Sequence, residues 1–563
     1  MEKNISEKEV QADGELKIIP LGGLGEIGLN MTVIEYGETI IVVDCGLMFP
    51  EDYMLGIDIV IPDITYLKKN ADKVKAYMIT HGHEDHTGAL PFVLKEVPAP
   101  VYATALTRGL IEEKLREFDL LQRVELKTVK PRDVVSVGPF DVEFIRVSHS
   151  IVDGCALAIN TPRGVVIHTG DFKLDQTPVD GEVLDYARFS EYGENRVLAL
   201  LSDSTNVEKE GYSLSERVIG QNLEEIFRRC EGRIIVAAFS SNIHRIQQVL
   251  DIAVKSGRKV VLNGRSMVAN ARIAGSLGYL KAPDGLFVDI KDMDGLPAQR
   301  LVLLTTGSQG EPMSALLRMA LDDHKHIKVR KGDTVILSSK FIPGHERAIS
   351  TMMNHLYRRG ADVIYEKVSE VHVSGHASQE ELKIMLNMVR PEYFIPIHGE
   401  YRHLVLHGRL AEKVGIPQSN IIIAEDGDVV EFGAGKAAIT GRVECGRVFI
   451  DGKGVGDVGE MVIKDRKHLS QDGMVLAVIA IAQKTGEVIY GPDVITRGVV
   501  FEDESAGLLD DAKAVVVDTL NSINKEARTE VSEVKEEIRR ALRRFFNKTL
   551  ERRPVILPVI IEI

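Results

Sequence analysis

The alternation of apolar and polar residues predicts a strand-rich beginning and a strand–helix alternation further along the chain. Short apolar runs that each end in glycine predict strands and tight turns near the N-terminus: LKIIPLGG, NMTVIEYG and TIIVVDCG. From about Ser213 the pattern changes, and it predicts the helices LSERVIGQNLEEIFRRC and NIHRIQQVLDIAVKSG and the strands RIIVAAF and KVVLNG. Such alternation is typical of βαβ units in a parallel sheet. We therefore expect an α/β protein.

The same pattern divides the chain into segments. A chain of 563 residues is too long for one hydrophobic core, so several domains are expected. Residues 1–16 are predicted to be a flexible polar tail. A strand-rich domain is expected at 17–213 and again at 381–454, with the βαβ segment inserted at 214–380. The Gly- and charge-rich stretch 455–467 is predicted to be a linker. A small α+β domain at 468–563 follows, with one helix from about Asp518 to Leu550 and a closing strand, PVILPVIIEI.

Composition narrows the class of protein. The formal charge of −14 speaks against broad, non-specific binding of nucleic acids, but it is compatible with a local basic groove or a site made positive by metal ions. The four cysteines are far apart, which argues against a disulfide framework or a cysteine zinc site and indicates a reducing compartment. The N-terminus is polar, and the apolar run MVLAVIAIA is too short to span a bilayer. We expect a cytoplasmic protein without membrane association.

The segment HGHEDH directly follows a predicted buried strand, VKAYMI. It offers His81 and His83 two positions apart, and Asp85 with His86 at the expected start of a helix. Imidazole and carboxylate groups are good ligands for Zn²⁺ or Mn²⁺. A lone His-x-His is usually a surface accident, but four potential ligands in six residues after a buried strand predict a metal site.

Further ligands are expected at the ends of other apolar strands. His149 follows FIRVS, Asp171 follows GVVIHTG with His168 just before it, and His398 follows YFIPI. Taken alone, each histidine is more simply interpreted as a core or surface residue. As a set, these residues complete a site for two ions.

The order of these residues resembles the metal signature of the metallo-β-lactamase superfamily, and VVDCG with Asp44 resembles its first motif. The resemblance implies an αββα sandwich and two divalent ions per chain, with Zn²⁺ expected first and Mn²⁺ as the alternative. It implies that one ion is held by His81, His83 and His149, the other by Asp85, His86 and His398, and that Asp171 bridges them. Two such ions, roughly 3.5–4 Å apart, would activate a shared hydroxide and clamp a phosphoryl oxygen.

The long stretch between Asp171 and His398 narrows the family. Its flanks, LLSDSTNVEKEGYSLSE and VHVSGHASQEEL, resemble the β-CASP subfamily, whose known members cut nucleic acids. Longer motifs resemble bacterial ribonuclease J from about Leu16 to the end: PLGGLGEIGLNMTVIEY, LMFPEDYMLGIDIVIPD, THGHEDHTGALP, TTGSQGEP, HVSGHASQEELK and TRGVVF. One departure, His345 where asparagine is expected, lies outside the metal motifs. The predicted fold is a metallo-β-lactamase sandwich with an inserted β-CASP βαβ domain and a small α+β C-terminal domain.

The resemblance also assigns catalytic roles. Asp203 matches the motif A acid, His376 the motif B histidine and His398 the motif C histidine. We expect His376 to steady the scissile phosphate and assist the leaving group, and Asp203 to orient His376 or share in proton transfer. Asp203 is also compatible with a helix cap, because SDSTN is rich in capping residues. The segment HVSGH is expected to grip phosphate, although His372 fits a packed histidine as well; its residues are His372, Val373, Ser374, Gly375 and His376.

A second anion site is expected in AAFSSNIHR, where Ser240, Ser241 and Asn242 precede a helix. Backbone N–H groups at a helix N-terminus bind anions, but spacing alone slightly favours a simple N-cap. The resemblance changes this balance, because the family degrades RNA from its 5′ end and prefers a 5′-monophosphate. The triplet is therefore expected to bind that phosphate.

The resemblance implies a metal-dependent ribonuclease in RNA maturation and decay, with 5′→3′ exonuclease and endonuclease activity on single-stranded RNA. It further implies a homodimer or homotetramer and partners in an RNA-decay complex. A catalytically silent scaffold subunit and a metallohydrolase of small esters are the alternatives. The helical face Arg540, Arg544 and Lys548 is either a solvated surface or part of an interaction surface.

Overall fold

The computed structural model describes residues 14–51, 53–311, 313–339, 341, 345–433, 435–452, 454–499, 506–524 and 527–563. Most of the predicted tail, residues 1–13, lies outside this range. The chain divides into two compact units, Met1–Phe49 with Val60–Val448 and Pro50–Ile59 with Phe449–Ile563. The first unit thus holds both strand-rich segments and the segment inserted between them.

Two sheets face each other in the first unit. The strands of the first sheet are, in spatial order, Ala437–Arg442, Asp428–Phe432, Leu16–Gly22, Met31–Tyr36, Thr39–Val43, Val74–Met78, Val101–Ala103 and Leu126–Thr128. Those of the second sheet are Tyr393–Ile397, Val197–Asp203, Gly164–His168, Cys155–Thr161, Phe140–Arg146 and Val134–Val137. Their inward side chains form one core that includes Ile34, Met78, Phe144, Leu157 and Ile395. Burial of this apolar double layer holds the two sheets together.

Helices cover the outer faces of the sandwich. Ala105–Glu117 packs on the strands Val101–Ala103 and Leu126–Thr128, and Leu90–Glu96 packs on that helix. Two shorter helices, Thr65–Lys69 and Glu84–Thr87, flank the strand Val74–Met78 in the sequence. Beside the second sheet, a continuous core joins the strands to the helices Tyr186–Glu194, Gln379–Val389 and Tyr401–Lys413. The αββα arrangement confirms the predicted fold class.

The inserted segment forms its own parallel sheet. Its strands are, in spatial order, Lys259–Asn263, Leu301–Thr305, Ile234–Ala237, Thr334–Leu337 and Asp362–Ile364. Its helices are Glu216–Arg229, Ile243–Lys255, Arg265–Ser276, Ala315–Ala320 and Glu346–Arg358. Two separate apolar cores lie on the two faces of this sheet. The strands are therefore buried on both sides, which explains their continuous apolar runs and confirms the βαβ interpretation of the sequence.

The second unit is built on a smaller sheet with strands in the order Val488–Arg497, Met474–Ile481 and Val555–Glu562. The helices Ala506–Ser522 and Val531–Leu550 share an apolar core with this sheet. Further short strands among the described residues are Leu24–Gly25, Ile59–Pro62, Gly399–Glu400, Arg447–Asp451 and Gly454–Val455. On the last long helix, Arg540 pairs with Glu537, at 3.0 Å, whereas Arg544 and Lys548 have no acidic partner among the described residues.

The structure differs from the sequence prediction at two places in this unit. The predicted linker 455–467 contains the start of a helix, Glu460–Asp472, with Ile463 buried. The last glycine of the stretch is Gly459, the N-cap of this helix. Only the residues before the helix therefore have the composition of a linker. The single helix predicted from Asp518 to Leu550 is instead two helices that break after Ser522 and resume at Val531. Leu520 and Val534 lie two heptads apart, so the apolar pattern stays in phase across the break and conceals it.

Within the residues that the structure describes, none of the helices is long and apolar enough to cross a lipid bilayer.

Candidate metal centre

The segment His81–His86 leaves the sandwich at the end of a buried strand. Val74–Met78 is followed by Thr80 and His81, both buried, and His83 is the N-cap of the short helix Glu84–Thr87. Gly46 packs against this turn so closely that a Cβ there would lie 1.7 Å from the carbonyl oxygen of Asp85. Only glycine fits that position without displacing the turn that carries the ligands.

Three other strands deliver ligands to the same place. His149 follows Phe140–Arg146, Asp171 follows Gly164–His168, and His398 directly follows Tyr393–Ile397. All three side chains are buried. These strands belong to the second sheet, while the His81–His86 segment leaves the first sheet, so the site lies where the edges of the two sheets meet.

A first group of ligand atoms lies at nearly tetrahedral spacing. His83 Nδ1 is 3.1 Å from His81 Nε2 and 3.2 Å from His149 Nε2. Asp171 Oδ2 is 3.6 Å from both His81 Nε2 and His149 Nε2. Four ligands at about 2.0–2.1 Å from a tetrahedral ion would be roughly 3.3 Å apart, so these spacings suit a Zn²⁺-sized ion.

A second group shares Asp171 with the first. His86 Nε2 lies 3.3 Å from Asp171 Oδ2 and 3.6 Å from Asp85 Oδ2. His398 Nε2 lies 3.5 Å from Asp171 Oδ2 and 3.8 Å from Asp85 Oδ2. Within each group all ligand atoms lie within 4.8 Å of one another. The structure thus brings together the seven predicted ligands in the two sets that the resemblance implies, with Asp171 common to both.

Hydrogen bonds on the far side of the rings fix which nitrogen faces the centre. Asp44 Oδ2 contacts His86 Nδ1 at 2.8 Å, and the Gly375 carbonyl contacts His149 Nδ1 at 2.8 Å. Asp44 also accepts hydrogen bonds from the amide and hydroxyl of Thr80, both at 2.8 Å. With Nδ1–H donated outward, the Nε2 lone pairs of His86 and His149 are directed at the centre, which is the usual arrangement in metal sites.

The pKa values of the ligand histidines are compatible with a bound metal cation. Burial lowers the pKa of His81, His83 and His149, so these rings are neutral and available as ligands at pH 7. Burial also acts on His398, but the carboxylate of Asp171 outweighs it and raises the pKa to about 9. The buried carboxylate of Asp171 therefore favours a positive charge beside it.

One buried polar atom at the centre completes this fit. Asp171 Oδ1 has no hydrogen-bond partner among the described residues, although it is shielded from solvent. A buried carboxylate oxygen without a donor is costly. Bound divalent cations next to Asp171 would remove most of that cost, so the residues present fit the ions that the fold implies.

The predicted catalytic pair lies beside this centre. His376 Nδ1 is 2.8 Å from Asp203 Oδ2 and 3.9 Å from Asp171 Oδ2. Asp203 is buried, whereas the His376 side chain is 20% exposed. Asp203 Oδ1 accepts from the amide of Thr205 at 2.9 Å within a turn, and no helix begins there, so Asp203 is not a helix cap.

The HVSGH loop contacts the centre through its backbone. A Cβ on Gly375 would lie 2.6 Å from His149 Cε1, so the loop requires glycine at this close approach. Val373 and Ser374 are buried, and Ser374 Oγ accepts a hydrogen bond from Asn206 at 2.8 Å. The His376 ring is therefore a clearer candidate for contact with a ligand than the side chains of Val373 and Ser374.

The triplet before the helix Ile243–Lys255 has a different environment. Asn242 is the N-cap, and its Oδ1 accepts from the amide of Arg245 at 2.9 Å. Ser240 Oγ accepts from Asn270 at 3.2 Å, and Ser241 is half-buried. Among the described residues, no hydrogen bond or ion pair joins these three side chains to the metal ligands. Asn242 thus makes the N-cap that spacing alone favoured.

Sequence reasoning missed several residues that support the centre. Asn30 Nδ2 donates to the Asp85 carbonyl at 3.0 Å and lies 3.2 Å from His86 Nε2. Asn206 Nδ2 and Ser213 Oγ both donate to the His376 carbonyl, at 3.0 and 2.9 Å. Their segments have the composition of ordinary turns, so no local signal marks them. The role of Asp44 had a signal, since it ends a buried strand in VVDCG, but its partner His86 is distant in sequence.

Comparison with known families places this geometry in a class. Residues 24–201 match the metallo-β-lactamase superfamily, and residues 360–423 match the Zn-dependent metallo-hydrolase RNA specificity domain. Residues 231–356 match the ribonuclease J β-CASP domain, and residues 461–563 match the ribonuclease J C-terminal domain. The chain is therefore a metallo-β-lactamase-fold protein of the β-CASP type.

Curated relatives define the family more closely. The chain is 42% identical to ribonuclease J2 of Bacillus subtilis over 548 residues, which covers 97% of this chain and 99% of the relative. It is 43% identical to ribonuclease J of Thermus thermophilus over 554 residues, or 97% and 95% of the two chains. The protein belongs to the ribonuclease J family. A solved structure of a protein of unknown function from Enterococcus faecalis shares the fold, with a TM-score of 0.54 and 19% identity over 74% of this chain and 100% of the other.

Proposed function

We propose that the protein is a metal-dependent ribonuclease that hydrolyses phosphodiester bonds at the centre around Asp171. The observation that carries this proposal is the placement of the His376–Asp203 pair directly beside two ligand groups that share one carboxylate oxygen. Membership of the ribonuclease J family supports RNA as the substrate.

We assign one ion to His81, His83 and His149 and the other to Asp85, His86 and His398, with Asp171 common to both groups. The nitrogen-rich first group favours Zn²⁺, and Mn²⁺ is the alternative. When bound, two such ions would neutralise phosphate charge and supply an activated water.

The side chains of His376 and Asp203 are the candidates for stabilising the remaining phosphate charge and for transferring the proton to the leaving oxygen. His376 holds a proton on Nδ1 against Asp203, which leaves Nε2 to contact a phosphate oxygen or protonate the leaving oxygen. Burial lowers the pKa of His376, but the charges of Asp203 and Asp171 outweigh it and raise the pKa above its ordinary value. A raised pKa keeps the ring protonated near neutral pH, which suits a general acid. The Gly375 backbone lies against His149 and brings the loop close to the reacting phosphate.

The finer activity is also part of this proposal. We assign 5′→3′ exonuclease and endonuclease activity on single-stranded RNA, with preference for a 5′-monophosphate. Ser240, Ser241 and Asn242 remain candidates for the 5′-phosphate contact through backbone N–H groups, since the Asn242 side chain is committed to its helix. A homodimer or homotetramer, RNA-decay partners, a cytoplasmic location and the domain boundaries given above likewise remain predictions.

Hydrolysis of an RNA labelled at its 5′ end tests the function. Wild-type protein should release labelled mononucleotide, a chelator should stop the reaction, and added Zn²⁺ or Mn²⁺ should restore it. The same assay distinguishes the alternatives, because a silent scaffold would bind RNA without cleaving it and a small-ester hydrolase would cleave a phenyl ester but not RNA. RNA hydrolysis that persists undiminished in chelator after metal analysis shows empty protein would contradict the proposal.

A further inference from the structure

Arg245 is a fully buried charge in the inserted domain. It lies in the first turn of the helix Ile243–Lys255 and is 0% exposed. Its Nη1 donates to the Val371 carbonyl at 2.8 Å and to the hydroxyl of Ser338. The Ser338 hydroxyl donates to the same Val371 carbonyl at 2.7 Å. Arg245 and Ser338 therefore grip one backbone oxygen together.

That oxygen belongs to the residue directly before the HVSGH loop. The far end of the loop is held by other groups: the Gly375 carbonyl contacts His149, and His376 contacts Asp203. Val371 is thus the anchor on the side of the inserted domain, and Gly375 with His376 is the anchor on the side of the metal centre. A loop held at both ends has a defined position even though its residues form neither helix nor strand.

The other side of Arg245 leads back to the metal centre by a second route. Its Nη2 donates to Glu216 Oε2 at 2.7 Å. Glu216 Oε1 lies 4.0 Å from Lys173 Nζ, and the Glu216 amide donates to Asp175 Oδ2 at 3.0 Å. Lys173 Nζ is 3.6 Å from Asp175 Oδ2. Lys173 follows the shared ligand Asp171 by two positions, and its amide donates to the carbonyl of Ser148, the neighbour of His149.

Four charges are therefore buried together, two positive and two negative. Lys173, Asp175, Glu216 and Arg245 are each at most 4% exposed. Burying ion pairs is often no more stabilising than packing apolar residues of the same size, because desolvation offsets the attraction. Directional partners at fixed distances, however, specify one relative position of the segments that carry them. This buried charge network joins the segment of Asp171, the start of the helix Glu216–Arg229 and the anchor of the HVSGH loop.

We infer that Arg245 is a positioning residue that sets the HVSGH loop relative to the metal centre, with the buried charge network as its support. This inference rests on the proposed ribonuclease function and deepens it. Arg245 itself contacts no reacting atom. It acts on the reaction by holding Val371, and through it the position at which Gly375 and His376 meet the scissile phosphate.

The test compares Arg245→Lys with a matched control, Arg233→Lys. Arg233 is also buried in the inserted domain and pairs with Asp333 at 2.5 and 3.1 Å, but it lies at the start of the strand Ile234–Ala237, away from the loop. Lysine keeps the charge but cannot reproduce the planar fork that reaches Glu216, Ser338 and Val371 together. Measured quantities are kcat and KM on a 5′-monophosphorylated RNA, metal content, thermal unfolding, and amide hydrogen exchange of residues 371–376.

Arg245→Lys should lower kcat about 10- to 100-fold with a smaller change in KM, since a displacement near 1 Å costs that much in oriented reactions. Its metal content should stay that of wild type, and exchange in 371–376 should rise. Arg233→Lys should show neither effect at a comparable loss of stability. Ser338→Ala removes only one of the two donors to the Val371 carbonyl, so a smaller fall in kcat is expected. This variant provides the test if Arg245→Lys does not fold.

If Arg245→Lys and Arg233→Lys had the same kcat, the same KM and the same amide hydrogen exchange in residues 371–376, Arg245 would have only a general structural role. Loss of metal from Arg245→Lys would also overturn the inference, since the network would then act on the ligands. If Arg245→Lys does not fold, unchanged kcat and loop exchange in Ser338→Ala would have the same consequence. If wild-type protein failed to cleave RNA, the proposed function would fall, whereas the exchange measurement would still test the position of the loop.

Discussion

Replacing Asp203 by asparagine separates proton transfer from metal binding. Asp203 lies outside the two ligand groups assigned to the ions, although it clusters with Asp171, His376 and His398 beside them. Because its Oδ2 is engaged by His376, Asp203→Asn should keep both ions. Asp203 Oδ2 faces His376 Nδ1 at 2.8 Å, and its negative charge is a main reason why the pKa of His376 is raised against the lowering effect of burial. The other reason is Asp171, whose charge is shared with the ions when they are bound.

The magnitude follows from that hydrogen bond. A buried hydrogen bond to a charged group contributes about 1.5–3 kcal/mol. Asparagine keeps a hydrogen-bond acceptor but removes the negative charge and with it part of that contribution, so the pKa of His376 should fall. A general acid works only while protonated, so activity is lost as pH rises through this pKa. The alkaline limb of the rate profile of Asp203→Asn should therefore move to lower pH.

The assay is kcat against pH on one RNA at saturating metal, with metal content measured at each end of the range. Asp180→Asn is the matched control, because Asp180 pairs with His244 at 3.1 Å in the same unit without contact to the metal ligands. His376→Ala should lose about 10²–10⁴-fold at every pH and should not recover in acid. An alkaline limb that stays in place in Asp203→Asn, or a loss of metal, would refute the reasoning.

Three further outcomes are expected. His83→Ala and Asp85→Ala should each lose metal and RNA turnover while keeping the apolar core, which metal analysis and thermal unfolding would check; a fully active variant would contradict the ligand assignment. Wild-type protein should prefer 5′-monophosphate over 5′-hydroxyl and 5′-triphosphate RNA. Ser241→Ala/Asn242→Ala should reduce that preference, because loss of the Asn242 N-cap disturbs the helix start that presents the backbone N–H groups; equal rates on all three ends in wild type would exclude a 5′-phosphate pocket. Truncation after Val448 should lower the oligomer mass and RNA turnover while leaving the metal centre of the first unit assembled; unchanged mass in light scattering would rule out assembly through the second unit.

The positions of the metal ligands could be predicted because each is marked by a local sequence pattern. His81, His149 and His398 each follow an apolar run, and such a run forms a buried strand whose end lies at the edge of a sheet. Chemistry-bearing residues at several strand ends therefore converge without any knowledge of the tertiary structure. The sharing of Asp171 Oδ2 required the family resemblance, since spacing along the chain does not reveal which ligand lies in the middle.

The supporting residues could not be anticipated in the same way. Arg245 stands in an amphipathic helix among Ile243, Ile246 and Val249, where an arginine ordinarily faces solvent. Its burial depends on Glu216 and Val371, which approach only when the inserted domain has folded. The hydrophobic periodicity of a segment predicts its secondary structure. It does not show which residue, distant in sequence, will compensate a buried charge.

Two residues of the candidate metal centre have strained backbone conformations that the surrounding structure maintains. Asp44 and His398 adopt left-handed backbone conformations, with φ of 61° and 54°, at the ends of two strands. Such conformations cost non-glycine residues on the order of 1–2 kcal/mol each. Glycine would avoid that cost, but it would remove the carboxylate that orients His86 and the imidazole of the second ligand group. The Asp44 amide donates to the Met78 carbonyl, and the Thr205 hydroxyl donates to the His398 carbonyl. These bonds hold both residues in place, so the protein itself positions the ligands before any ion binds.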